Sequence, residues 1–221
     1  MKDLSIRNQK EFYFDYVMSS QGSNANLNGK KFEEIVINNF FKDLEDNGYQ
    51  VDEESKILSK KGGRVIYCEI YKNGETHTGK PYVIYSSQEG FNDIFLPKEK
   101  IKPNIIKKPD GGLYFPDRNL FHILEIKKQS DGGSVIEKLY ACNGIRDYDY
   151  KEEIFHNKYN VDMTYVLDRF FSKNQDNERY FKYMTDHNVQ YFFCERFPLD
   201  KIGFETVNKY VRKEENPYPL F

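Results

Sequence analysis

Tryptophan is missing from the 221 residues, and cysteine occurs only three times. Aromatic content still reaches 16%, all of it Tyr and Phe, so an apolar interior built on rings is available without indole. The cysteines, Cys68, Cys142 and Cys194, are odd in number and far apart. That spacing excludes a disulfide framework and a zinc knuckle and leaves reduced thiols. The four histidines, His77, His122, His156 and His187, form no HExxH or paired spacing, which removes the helical zinc motif. No apolar run reaches membrane-spanning length, and the opening MKDLSIRNQKEFYFDY lacks the apolar stretch of a secretory leader, so a cytoplasmic protein is expected. An excess of positive charge is lacking too: the formal net charge is −2. Overall basicity therefore gives no argument for nucleic-acid binding, and any such surface has to be a local patch.

What is present suits one domain over residues 1–221, with residues 1–28 as a possible N-terminal arm. Phe32, Ile35, Val36, Phe40 and Leu44 fall at helical spacing behind an Asn28 cap, and Asn47-Gly48 ends the helix. RVIYCEIY and PYVIYSS read as strands of a hairpin, joined by KNGETHTGK with its Asn73-Gly74 turn signal. Two further strands are expected at 113–115 and 120–127, then helical patterns at Val135, Ile136, Leu139 and Tyr140 and around 150–158. MTYVLDRFF, residues 163–171, reads as a strand, 176–186 as a polar helix and VQYFFCERF, residues 189–197, as a last strand. This order implies an α/β fold with a mixed central sheet flanked by helices.

The chemistry concentrates in KKPDGGLYFPDRNLFHILEIKKQ, residues 107–129, where Pro-Asp occurs twice ahead of Glu-Ile-Lys. PDRN, residues 116–119, has the residues of a turn and reads as a hairpin tip. If Pro116 and Asn119 face each other there, antiparallel pairing sets Asp110 opposite Glu125. Asp117, at the tip, lies about 20 Å from Glu125 at roughly 3.3 Å per residue, too far to share a metal, and reads as a turn aspartate. Strand alternation turns Glu125 and Lys127 to one face and Leu124 and Ile126 to the other. Two carboxylates and an ammonium thus converge at one end of a hairpin. Paired carboxylates are hard oxygen ligands suited to Mg²⁺, and a neighbouring Lys can orient the attacking water and offset charge developing on a phosphate. The same residues also fit a bland reading, an ordinary Pro-Asp-Gly-Gly turn beside a solvated ion pair.

Pro109-Asp110-Gly111-Gly112 followed by Glu125-Ile126-Lys127 resembles the PD-(D/E)xK nuclease superfamily, and within it the type II restriction endonucleases of the EcoRI and MunI type. LYACNGIRDYDYKEEIF, from Leu139, resembles the segment that follows in those enzymes and reads base edges, AAGNAIER. Ala141, Asn143 and Ile145 match it, whereas Cys142, Gly144, Arg146 and Asp147 depart from it. The resemblance covers roughly residues 107–155. It implies a restriction-endonuclease-like core and a Mg²⁺-dependent, sequence-specific cut of double-stranded DNA that leaves 5′-phosphate ends. It also implies Asp110, Glu125 and Ile126 as metal ligands and Lys127 as the residue that positions the water. A homodimer matched to a palindromic site and a cognate DNA methyltransferase as functional partner follow by the same analogy. The family's early helix carries a glutamate near the metal; Glu33 is open to that role, and Glu34 is expected to face solvent. A structure-specific repair or junction nuclease, or a silent DNA-binding module of the same fold, are the alternatives.

A local basic patch is present. Lys98, Lys100, Lys102, Lys107 and Lys108 lead into Asp110, and Lys127 and Lys128 follow on the other strand, so backbone phosphates have candidate partners. Asn143 and Arg146, with Asp147 beside them, are candidate base readers through adenine and guanine edges. Asn143-Gly144 reads equally as a helix end. Gln129 is expected among the DNA-binding residues and in support of the site, and SDGGS, residues 130–134, to form a loop near DNA.

Overall fold

The computed structural model describes residues 28–60, 63–73, 79–91, 95, 108–129, 135–173 and 177–205. Residues 1–27 of the expected N-terminal arm, the Gly74 half of the Asn73-Gly74 turn, Lys98, Lys100, Lys102, Lys107 and the 130–134 loop lie outside these residues.

The first element is helix α1, residues 28–46. Phe32, Val36, Phe40 and Leu44 recur along one stripe and are buried, as the spacing predicts. Ile35 is the exception: it is 43% exposed, and Ile37 at 7% takes the buried place expected of it. At 100° per residue, Ile35 falls on the flank of a stripe centred on Phe32, Val36 and Phe40. Gly48, at φ +82°, adopts the left-handed conformation that ends the helix.

Strands β1 (Tyr49–Val51), β2 (Ile57–Leu58), β3 (Val65–Lys72), β4 (Val83–Ser87), β5 (Gly111–Phe115), β6 (Leu120–Lys127), β7 (Asn160–Leu167) and β8 (Gln190–Phe192) form one sheet among the described residues. Its order is β1-β3-β4-β5-β6-β7-β8, with β2 alongside β3. Pairing is antiparallel from β1 through β6 and parallel from β6 through β8. The protein is therefore mixed α/β, with a mostly antiparallel sheet flanked by helices. The hairpin of β3 and β4 is the expected one; the short strands β1 and β2 carry too little pattern to be read from the sequence.

Helices α2 (Val135–Tyr140) and α3 (Cys142–Gly144) lead into a π-helical stretch, Ile145–Ile154, followed after β7 by α4 (Arg169–Ser172) and α5 (Glu178–Asp186). Three boundaries differ from the sequence expectation. The 163–171 strand runs instead over 160–167, and Asp168 starts α4, so Phe170 and Phe171 belong to a helix. The last strand stops at Phe192 rather than 197. The second helical pattern begins at Ile145, ahead of 150. Aromatic residues pack in strands and helices alike, so a ring-rich run marks burial more surely than it marks a strand.

Both sheet faces are covered. On one side α1 packs on Tyr85, Leu113, Leu124, Ile126 and Val166. On the other, Phe91, Phe121, Ile123, Tyr150, Tyr165 and Phe181 form a second core. Among the described residues no helix is long and apolar enough to cross a membrane.

Candidate active site

The hairpin of β5 and β6 positions the site. Its tip is a single 3₁₀ turn, Pro116–Arg118, closed by Asn119 at φ 48°, a left-handed position that asparagine tolerates better than most residues. Phe115 pairs with Leu120 and Gly111 with Leu124. Continuing that register one residue sets Asp110 across from Glu125, as the turn geometry predicts. Asp117 stays at the tip, three-quarters exposed, 2.9 Å from Lys80 Nζ.

Asp110, Glu125 and Lys127 meet at the other end. Lys127 Nζ lies 2.6 Å from Asp110 Oδ2 and 2.5 Å from Glu125 Oε2. Asp110 Oδ2 also accepts the Ile126 N–H at 2.7 Å. In a strand the N–H and C=O of one residue point to the same edge, so the Ile126 carbonyl is directed to the same side as Asp110. The three charged side chains are only 10%, 11% and 17% exposed. Burial, then repulsion from Asp110, pushes the Glu125 carboxyl up to about 7 against the pull of Lys127. Burial alone would lower Lys127, but Glu125 and Asp110 outweigh it and hold the ammonium protonated.

Glu33 of α1 enters from the other side of Asp110. Burial and then the Asp110 charge raise its pKa, while Lys127, Arg64 and Lys30 oppose the rise. Glu33, Arg64, Ser87, Asp110 and Ile126 border one cleft open to solvent. Glu34 is exposed, as expected, and stands at the rim of this cleft. Tyr165 pairs with Glu125 across β6 and β7 and is buried beside it.

Among the described residues no group of three or more His, Cys, Asp and Glu side chains could hold a metal. The donor set here is smaller and of another kind: two converging carboxylates and a main-chain carbonyl. All are hard oxygens, which suits Mg²⁺ completed by water and a phosphate oxygen.

The remaining expected residues divide. Lys108 and Lys128 are exposed beside the site, with Lys128 Nζ 5.8 Å from the Phe32 ring centre. Gln129 is buried, and its main-chain N–H bonds to Asp168. Arg146 binds Asp147 through Nε and Nη2, at 2.7 and 2.8 Å, and its Nη1 donates to the carbonyls of His187 and Asn188 at the end of α5. Asn143 Oδ1 accepts the Tyr183 hydroxyl at 2.7 Å. These contacts tie the segment after α2 to α5. Arg64 and Ser87 carry no signal of a site in the sequence, where they only begin and end apolar runs; strand order is what brings them next to Asp110.

Compared with known proteins, the chain matches no family model, no curated protein and no solved structure.

Proposed function

We propose that the protein is a Mg²⁺-dependent endonuclease of PD-(D/E)xK type that cuts double-stranded DNA at a specific sequence, leaving 5′-phosphate ends. The observation that carries this reading is the convergence of Asp110 and Glu125 on the Lys127 ammonium at the end of one hairpin. Asp110, Glu125 and the Ile126 carbonyl would hold the cation, which would supply Lewis-acid polarisation of the phosphodiester and of water. Lys127 hydrogen-bonds the attacking water and faces the negative charge that grows on the phosphoryl oxygens. Water attacks phosphorus and gives up a proton to solvent, the bond to the 3′ oxygen breaks, and that oxygen takes a proton from solvent.

Lys108 and Lys128 supply phosphate contacts beside the site. Asn143, whose Oδ1 accepts the Tyr183 hydroxyl, keeps its amide N–H₂ for base edges, with Arg146 and Asp147 beside it. Arg146 is bonded to Asp147 and to the carbonyls at the end of α5, so the pair also holds the segment in place. A homodimer on a palindromic site, with a methyltransferase protecting host DNA, completes the restriction reading.

The test is unmethylated phage DNA with purified protein and Mg²⁺. Discrete fragments are expected, lost by at least about 100-fold on Asp110→Ala and kept on Asp117→Ala, because Asp110 joins Glu125 and Lys127 while Asp117 sits at the far tip on Lys80. A smear would replace sequence specificity with the repair-nuclease reading. Activity that survives Asp110→Ala would remove the site assignment.

A further inference from the structure

The cleft on the α1 side of Asp110 holds groups that the metal site does not use. It is open to solvent and lies between Glu33, Arg64, Ser87, Gln88, Asp110 and Ile126. Lys127 and Glu125 project from the opposite sheet face, so the cleft is a separate approach to the same Asp110.

Two of its groups make no hydrogen bond among the described residues. Arg64 meets Glu33 only at 3.8 Å, and its guanidinium donates to no acceptor there. Arg118 and Arg146, in contrast, are each held by several acceptors. Ser87 is 5% exposed, and its hydroxyl is the second such group. Ser87 shares the α1 face of β4 with Val83 and Tyr85, both members of the α1-side core, so its side chain is directed into this cleft. A buried hydroxyl without a partner costs stability unless a ligand supplies one. A guanidinium fork and a hydroxyl at one polar cleft are donors for a tetrahedral oxyanion.

We propose that Arg64 and Ser87 seat a backbone phosphate of the bound DNA strand on the α1 side of Asp110. Arg64 is a positioning residue that fixes the strand while Lys127 attends the attacking water. This rests on the nuclease reading for its substrate. Glu33 and Glu34 border the same cleft and repel a bare anion, so the seat fills when a divalent cation offsets the carboxylates.

The experiment follows the Arg64 side-chain N–H resonance in ¹⁵N-labelled full-length protein during titration with dimethyl phosphate, with and without Mg²⁺. A saturable shift in Mg²⁺ is expected, weakened severalfold by Ser87→Ala. DNA affinity in Ca²⁺ should drop by about tenfold or more on Arg64→Ala, at unchanged melting temperature, with partial recovery on Arg64→Lys. An Arg64 resonance that stays still at saturating dimethyl phosphate, or Arg64→Ala binding DNA like wild type, would overturn the seat. Should wild type cleave no DNA while Arg64 still responds, the phosphate seat stands and the nuclease reading falls. Conversely, cleavage by Arg64→Ala at wild-type KM and kcat overturns the seat and leaves the nuclease reading standing.

Discussion

Glu125 illustrates how a single residue can be set by its surroundings. It is a carboxylate buried beside another carboxylate, and the resulting rise to about 7 leaves it partly protonated near neutrality. A cation binding there has to displace that proton. On the proposed metal site, Mg²⁺ affinity should therefore weaken by about tenfold per unit as pH falls below 7, since one proton competes for one ligand. Calorimetry in buffers of different ionisation enthalpy checks this: Mg²⁺ binding should release protons at pH 6.5 and almost none at pH 8.5. Equal binding heats in all buffers at pH 6.5 would show that Glu125 is not a ligand. The contrast with Asp117 is instructive at the same scale. Two Pro-Asp pairs are alike in sequence, but one sits at a solvated tip on Lys80 and the other in a buried trio.

At the scale of elements, the paired glycines after Asp110 are not equivalent. A Cβ on Gly111 would find ordinary contacts of 3.5 Å, whereas on Gly112 it would lie 2.8 Å from Phe121 Cε1 and Cζ. Phe121 cannot easily yield, being wedged against Phe95 and Phe155 at ring-centre distances of 4.7 Å. Gly112→Ala should cost about 1–3 kcal/mol and lower the melting temperature by several degrees, while Gly111→Ala should cost less. Chemical denaturation of both variants separates them. Arg146 makes a comparable point about helices. Its guanidinium caps the carbonyl end of α5 and pairs with Asp147, so Arg146→Ala should destabilise by about 1–3 kcal/mol, and Arg146→Lys should not restore it because the fork is lost. On the proposed nuclease reading, the cut site should stay the same in either variant, as read by sequencing fragment ends; a changed site would assign Arg146 to base recognition.

How much of this is legible in the sequence follows from the range of the interactions. The β5–β6 hairpin is local: Pro116, Asn119 and strand alternation suffice to place Asp110 across from Glu125. The Phe32, Val36 and Phe40 stripe is local as well. Arg64 and Ser87 are not, because their neighbourhood depends on β3, β4 and β5 lying side by side, and no periodicity encodes that order. The strand end at Leu167 is hidden for a related reason: Phe170 and Phe171 are as β-prone as the residues before them, and Phe171 is buried in a helix by tertiary packing.

For the whole molecule, two buried groups pull stability in opposite directions with pH. His122 is fully buried on Thr164 Oγ1, and burial lowers it from 6.5 to about 3. Between those values the unfolded chain holds a proton that the folded chain refuses, so stability falls as pH falls. Glu125 is raised from 4.5 to about 7, and in that window the folded chain holds a proton that the unfolded chain has released. Stability from this group falls as pH rises. The two slopes, each about 1.4 kcal/mol per pH unit, oppose one another between 4.5 and 6.5 and leave the wild-type profile shallow there. Glu125→Gln removes one of them. In metal-free buffer, its stability relative to wild type should grow as pH rises from the ordinary carboxylate range towards about 7 and then level off. Urea melts across that range measure the difference directly. Parallel wild-type and Glu125→Gln profiles would mean that the carboxylate titrates at its ordinary value, and that Lys127, rather than burial and Asp110, governs its charge.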